Sequence, residues 1–334
     1  MSPKKYTRRD FLNTLLSGIA LGAFMMRCQT SNAQGMPTRP LGETGENVSI
    51  ISLGGWDIGV DSNTESEAIK IMHEAIAEGL TFFDNCWEYH SGYSEELMGK
   101  ALAQDNKREK VFLMTKVCGR DYKTAKKHLE DSLKRLQTDY LDLWQFHGIK
   151  WDDDPELIFD ENKGAVKAAM EAKQEGKVRF IGFTGHERPA HHLEMLDQDF
   201  SWDTVQMPTN IVDPHFHSFQ KEVLPVCTDR NIGVIGMKGL AAQNARLLKE
   251  FDVDAETCRR YALSLPISSL VCGIQNQQDL RDNIRIAKNF KPMEEKEIKD
   301  LLAQTEEKGE KGIIEEYKTG NYGCDWFHNE IMNV

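Results

Sequence analysis

Four residues in the first half of this chain have side chains suited to placing a proton on a carbonyl oxygen: Asp84, Tyr89, Lys116 and His147. Each lies at, or just past, the end of a short apolar run. Asp84 falls in "LTFFDN" (80–85), with Tyr89 five residues beyond it. Lys116 is near the end of "VFLMTKV" (111–117), and His147 ends "LDLWQFH" (141–147) with Gln145 on the same face by strand alternation. A lysine at the end of an apolar strand needs a partner, because an unpaired buried charge is costly, and Asp84 on the neighbouring run supplies one. A tyrosine beside that cation has its phenolate favoured, so its pKa is expected to fall toward working pH. A histidine at the next strand end can orient a carbonyl. Taken singly, each has a structural reading: an ion pair, a loop anchor, a hydrogen-bonded core histidine. Together, in one order on three consecutive runs, they point to a proton donor aimed at a polarised C=O.

The elements that must position them recur along the chain. After an introductory stretch, "RPLGETGENVS", eight apolar runs appear: "IISLGG" (50–55), the three above, "VRFIGFTG" (178–185), "DTVQMP" (203–208), "IGVIGM" (232–237) and "SSLVCGI" (268–274). Most are near-continuous and rich in branched or aromatic residues, as strands buried on both faces are. Helical patterns separate them. Thr64 with Glu67 reads as a capping box, Ile69, Met72 and Ile76 follow at helical spacing, and Gly79 is a natural stop. Leu129, Leu133 and Leu136 mark a second apolar face, and Phe219, Val223 and Val226 a third. Strand–helix alternation repeated eight times predicts a closed (β/α)8 TIM barrel of the α/β class. An open doubly wound sheet is the alternative, but no G-x-G-x-x-G follows the first strand. In such barrels the chemistry collects at the C-terminal ends of the strands, where these polar residues fall.

With those runs in place, the sequence resembles the aldo-keto reductase family from about Leu41 to about Asn289. The resemblance is carried by "FFDNCWEYHSGYSEELMGKAL", "VFLMTKV", "LDLWQFH", "VRFIGFTG", "DTVQMP" and "CGIQNQQDLRDNI". The family's Asp, Tyr, Lys, His tetrad matches Asp84, Tyr89, Lys116 and His147. The resemblance implies NAD(P)H-dependent reduction of an aldehyde or ketone, or the reverse oxidation. In that reading Tyr89 gives the proton, Lys116 held by Asp84 tunes it, and His147 positions the carbonyl. It also implies cofactor contacts at Thr184, Gly185, Gln206, Met237, Lys238, Gly273, Asp279 and Asn283. Thr184 and Gly185 stand where many members have Ser-Asn, and Met237 where many stack a tyrosine on the nicotinamide; a methionine packs there less rigidly. Members preferring NADPH usually place Lys or Arg where this chain has Gly273, Ile274 and Asp279. An aspartate there repels a 2′-phosphate, so the expectation leans to NAD(H) over NADP(H), with Arg281 or Arg285 as the residues able to reverse it.

Substrate choice is expected to lie in loops and the tail, with Trp56, Trp87, His215 and His217 as loop residues facing the substrate. The histidines of "PHFH" (214–217), with His186, His191 and His192, lack an acidic or cysteine partner at ligand spacing, so no metal centre is expected. Cys86 and Cys118 each fall two residues past a tetrad member, and a redox pair there, with Cys324 as a further partner, is a weaker alternative.

The N-terminal "YTRRDFLNTLLSGIALGAFMM" resembles a twin-arginine (Tat) export signal: Arg8-Arg9 ahead of an uncharged run too short to span a bilayer, then small residues at Ser31-Asn32-Ala33. Lipid attachment at Cys28 is a lesser alternative, since Arg27 directly before it fits poorly. The reading is thus a leader (1–33), a barrel catalytic domain (34–292) and a C-terminal helix and tail (293–334) packing on the barrel, in a periplasmic protein. The leader carries Lys4, Lys5, Arg8, Arg9 and Arg27 against Asp10, so removing its +4 from a chain of −12 leaves −16. So acidic a surface repels phosphate backbones and anionic membranes, which argues against nucleic-acid partners and against stable membrane insertion after processing. The expected partners are a small carbonyl or alcohol substrate and the Tat machinery. Export after folding suits an enzyme that retains its dinucleotide, and a retained cofactor calls for a transfer-type reaction between two sugars or polyols. A non-catalytic dinucleotide-binding or sensing subunit on the same barrel is the alternative.

Overall fold

The computed structural model describes residues 29–60, 64–241 and 245–320. Arg8, Arg9, Cys28 and Cys324 lie outside them, and with them the export signal and the lipid-attachment alternative. All eight expected runs are strands. They are β4 (Ile51–Gly54), β5 (Phe82–Asp84), β6 (Phe112–Val117), β7 (Leu141–Phe146), β8 (Val178–Thr184), β9 (Thr204–Pro208), β10 (Gly233–Met237) and β11 (Ser269–Cys272). They close in chain order into a parallel barrel, with β11 pairing both β10 and β4.

The sequence builds the barrel in two shells because adjacent strand residues face opposite ways. Phe82, Phe112, Met114, Leu143 and Ile235 pack together along the axis. Their neighbours Phe83, Leu113 and Trp144 join the larger core between strands and helices. Continuing the axial alternation upward leads to Asp84, Lys116, Gln145 and His147. The interior therefore passes from an apolar floor to a polar mouth. Gln145 donates to Thr204 Oγ1 at 3.0 Å in the layer between. Gly182 faces the same threonine, and a Cβ there would lie 2.2 Å from its hydroxyl.

The capping box forms as expected: the Glu67 amide donates to Thr64 Oγ1 and the Thr64 amide to Glu67 Oε2. The helix runs Glu65–Ala77 and stops at Gly79, whose φ is +88°.

The introductory stretch is not a simple loop. It contains β2 (Pro37–Pro40) and β3 (Asn47–Ser49), an antiparallel pair, with β1 (Thr30–Ser31) added on β2. Leu41 and Val48 insert into the axial cluster beside Phe82 and Phe112, the first residues of their strands, so the hairpin plugs the barrel floor. Gly42 permits this approach at φ +55°, with Gly233 N only 2.4 Å from where a Cβ would stand. Thr30 and Ser31, placed with the leader above, pair with Thr38 and Pro37, and the Asn32 side-chain Nδ2 donates to Gly79 O at 2.7 Å. A cut after Ala33 would remove both.

At the other end, helix Glu295–Gly309 and the following turn pack on the loop after β9 through Ile211, Val212, Leu301, Leu302 and Ile314. A buried charge cluster fastens the tail. Lys318 Nζ lies 2.6 Å from Asp213 and 2.7 Å from Glu315, and Asn210 donates to Glu315 at 2.8 Å. Among the described residues, no helix is long and apolar enough to cross a membrane.

Two buried ionisable groups yield predictions. Arg39 on β2 is 1% exposed and donates to Ile267 O at 2.9 Å and Leu263 O at 2.8 Å, while burial lowers its pKa to about 10. Arg39→Met leaves both carbonyls unpaired, and should lower the unfolding free energy by ~2–4 kcal/mol in urea titration. Glu95, fully buried on helix Tyr93–Leu102, takes a hydrogen bond from Thr115 at 2.6 Å. Burial raises its carboxyl from 4.5 to about 7 against that bond. Its folded pKa exceeds its unfolded one, so its contribution is full below the unfolded pKa and is lost as pH rises through the folded one. Unfolding titrations should show up to about 3 kcal/mol lost across that window, and Glu95→Gln should flatten that part of the slope.

Candidate active site

The polar mouth is assembled from consecutive strand ends. Asp84 ends β5 in register with Met114, and Lys116 stands two residues further along β6 on the same face. Lys116 Nζ pairs with Asp84 Oδ1, donates to Asn85 O at 2.7 Å, and reaches Tyr89 Oη at 3.4 Å. Lys116 is 1% exposed and Asp84 2%. Tyr89 opens the short turn Tyr89–Gly92, in which His90 and Ser91 take positive φ and swing the chain back over the barrel. Its ring stands edge-on to His147, centroids 5.9 Å apart, and to Trp56 at 5.3 Å. His147 follows β7, with its amide bonded to Val117 O at 2.8 Å. The structure thus brings Asp84, Tyr89, Lys116 and His147 together.

The electrostatics differ from the sequence expectation at Tyr89. Its pKa is raised well above 10, chiefly by burial and then by the charges of Asp84, Cys86 and Glu88. Lys116, 3.4 Å from Tyr89 Oη and ion-paired to Asp84, does not outweigh them. Tyr89 is held as a neutral acid.

Sequence reasoning singled out Cys86 and Cys118 but missed what they face. His147 Nδ1 lies 2.9 Å from Glu88 Oε1, 3.3 Å from Cys86 Sγ and 3.8 Å from Cys118 Sγ; the two sulfurs are 4.0 Å apart. Burial alone would raise the Cys86 thiol, but the Cys118 hydrogen bond and His147 bring it down to about 6. Burial likewise opposes charge on His147, yet Cys86 and Glu88 raise it to about 9. Glu88, despite burial, is lowered chiefly by His147. Cys118 is pushed well up by burial and by Cys86. The only advance signal was the shared offset of two residues past a tetrad member.

The residues expected to hold a cofactor offer two buried acceptors without a partner. Gln206 on β9 donates to Asp84 Oδ2 at 2.7 Å, leaving its buried Oε1 unpaired. Asn283, on helix Gln277–Lys288, donates to Asp279 O at 2.8 Å and likewise leaves Oδ1 unpaired. Buried acceptors in this state fit a ligand bearing amide or amino N–H groups, as a nicotinamide dinucleotide does. Thr184 and Met237 end their strands at the same rim. Gly185 is packed too tightly for a side chain, a Cβ falling 2.5 Å from Ile149 O. Lys238, at φ +55°, sets its ammonium over the Tyr317 ring at 4.9 Å. Asp279 takes hydrogen bonds from Gln275 N and Asn276 Nδ2, both 3.1 Å. A second carboxylate, Asp57, bonds to Gln275 at 2.9 Å and faces Gly273, where a Cβ would lie 2.6 Å from it. Arg281 pairs with Glu74 and Arg285 with Glu256, both at 2.8 Å on the surface.

The loop residues divide. Trp56, 43% exposed, stands at the mouth against Tyr89. Trp87 does not face the mouth: its ring stacks on His128 at 3.6 Å and its Nε1 donates to Asp131 at 3.3 Å, on helix Tyr122–Leu136. His215 is turned to Thr305 of the C-terminal helix at 3.0 Å, while His217 stays exposed beside Phe216. His186, considered above only as a metal ligand, meets Tyr317 edge-on at 5.5 Å, and burial drives its pKa well below 6.5.

Comparison with known proteins agrees with this geometry. The sequence profile of the Aldo/keto reductase family matches residues 50–257. The chain is 34% identical over 224 residues to the uncharacterized oxidoreductase YrpG of Bacillus subtilis, a match spanning 60% of this chain and 65% of that protein. It is 30% identical to the aldo-keto reductase YhdN of Bacillus subtilis, over 66% of this chain and 68% of that one. It is also 30% identical to an L-galactose dehydrogenase of Arabidopsis thaliana, over 61% and 65%. Among solved structures, the holo form of aldo-keto reductase AKR11C1 from Bacillus halodurans superposes with a TM-score of 0.67 at 26% identity, covering 80% of this chain and 96% of that one. A closed parallel barrel, a rim of strand-end polar residues and a profile match over more than half its length establish that this chain belongs to the aldo-keto reductase family of oxidoreductases.

Proposed function

We propose that this protein is an exported, NAD(H)-preferring oxidoreductase that interconverts a carbonyl and an alcohol, with Tyr89 as proton donor. One observation carries the reading: a buried ammonium, Lys116, ion-paired to Asp84 and aimed at the hydroxyl of Tyr89. When bound, a nicotinamide supplies the hydride. The protein supplies the rest. Tyr89 gives its proton to the carbonyl oxygen as negative charge develops there, and Lys116 balances the resulting phenolate. His147 directs its outer nitrogen, Nε2, at the same oxygen and fixes the carbonyl's orientation. Gln206 and Asn283 offer their unpaired oxygens to the carboxamide and adenine ends of the dinucleotide. Tyr89 is held protonated, the state that can give a proton to a carbonyl oxygen.

The NAD(H) preference rests on Asp57 and Asp279 together, with Arg281 and Arg285 committed to other carboxylates. Export is read from Arg8-Arg9 and the apolar run that follows. A protein exported after folding keeps what it binds, so a retained dinucleotide and a transfer between two sugars or polyols complete the proposal. The relative named as an L-galactose dehydrogenase fits that substrate class.

Tyr89→Phe tests the reading. Carbonyl reduction should fall by about 10²–10⁴-fold, while dinucleotide affinity stays within a factor of about two. Turnover unchanged in this variant would sink the assignment, and a wild-type protein that binds dinucleotide without turning over any carbonyl would favour the sensing-subunit alternative. The pH profiles should diverge as well. Alcohol oxidation, which needs the phenolate, should climb through the alkaline range while reduction holds level from neutral pH upward.

A further inference from the structure

We propose that Cys86, Glu88, Cys118 and His147 Nδ1 form a four-donor site for a zinc-type divalent ion beneath the catalytic face of His147. One ligand atom from each residue falls within a single sphere, all within 4.8 Å of one another. Four of the six edges of this tetrahedron are 4.0 Å (S–S), 3.3 and 3.8 Å (S–N) and 2.9 Å (N–O), and the two S–O edges lie within 4.8 Å. Zinc with bonds of about 2.3 Å to sulfur and about 2.0 Å to nitrogen or oxygen requires edges of about 3.3–3.8 Å. These four edges lie within a few tenths of an ångström of that range. Two soft sulfurs with an imidazole select zinc over magnesium or calcium, which take oxygen shells.

The surroundings are those of a built site. The ligands come from three successive strand ends rather than one mobile loop. Arg120 holds two of them by their backbone, donating to Cys118 O at 3.2 Å and His147 O at 2.8 Å, and is itself fixed by Asp154 at 2.6 Å. The Cys86 amide is bonded to Asn85 Oδ1 at 2.8 Å. Such outer contacts orient ligands and tune their basicity. The cysteines are buried, while His147 and Glu88 keep side-chain exposures of 15% and 11%, which leaves an entry path from the mouth. Two thiolates, a carboxylate and a divalent ion sum to −1, beside the cations Lys116 and Arg120.

Binding moves protons but no electrons. The two cysteine sulfurs and His147 Nδ1 bind the ion without protons, and the protons they held pass to water. His147 is left neutral with its remaining proton on Nε2, the tautomer that donates to a carbonyl oxygen. This consequence rests on the carbonyl-reductase reading; the site itself does not.

The test is metal content, independent of turnover. The full chain, purified after export, is assayed for zinc by plasma mass spectrometry and for thiols by alkylation and intact mass. One zinc per chain is expected, with Cys86 and Cys118 both reduced. Cys118→Ser should weaken zinc binding by more than the ~10–100-fold that loss of an outer-shell contact costs. Should that variant fold poorly, the wild-type protein stripped of zinc and titrated with Co²⁺ alone decides. Thiolate-to-cobalt charge-transfer and tetrahedral visible bands support the site. Octahedral cobalt spectra, or a folded, reduced protein without zinc affinity, overturn it. A Cys86–Cys118 disulfide in the exported protein also overturns it, because oxidised sulfurs cannot ligate the ion.

Discussion

The structure is organised around one buried ion pair, Lys116 with Asp84. Removing either partner leaves an uncompensated charge inside the barrel, at a cost of about 3–5 kcal/mol. The pair survives there because the barrel surrounds it with further partners. Asn85 O and Tyr89 Oη take hydrogen bonds from the ammonium, and Gln206 donates to the second carboxylate oxygen. Below it the axis is apolar, sealed by Leu41 and Val48 from the N-terminal hairpin. Above it the chain opens to solvent at Trp56 and His147. The low-dielectric floor makes the ion pair rigid, and the rigid pair gives Tyr89 a fixed direction.

Much of this was legible from sequence because a barrel strand buried on both faces leaves a near-continuous apolar run. Phe82 and Phe83, or Leu143 and Trp144, serve opposite shells and still read alike as hydrophobic. Polar residues at the end of such runs then stand out, and Asp84, Lys116 and His147 did. The hairpin β2–β3 was not legible. Its Pro37 and Pro40, with Gly42 and Gly45 in the turn, carry the signature of a loop, and its value lies in two side chains that plug a distant floor.

Other differences share a cause: the partner sets the outcome, and the partner is remote in sequence. Trp87 sits three residues past Asp84, yet His128 and Asp131 draw its ring to the outer helix. His215 lies in a mouth loop, yet Thr305, 90 residues on, takes its nitrogen. The Tyr89 phenol was expected to shift down beside a lysine. It shifts up because folding buries it and brings Cys86 and Glu88 close. Those same residues, with Cys118 and His147, are spread over separate strand ends and match no spacing pattern along the chain. Only the side-by-side pairing of β5, β6 and β7 makes them a cluster.

The central claim is that this scaffold passes a hydride from a nicotinamide to a carbonyl carbon while Tyr89 delivers the proton. Its most direct test is isotopic. The protein, unfolded to release any retained dinucleotide and refolded with NADH carrying deuterium on the transferring face of C4, is incubated with a panel of aldehydes and sugars, and the products are examined by mass spectrometry. The account predicts one deuterium on the carbinol carbon of at least one product, absent with Lys116→Met. Bound dinucleotide with no label in any product, or label washed out to solvent, would contradict it.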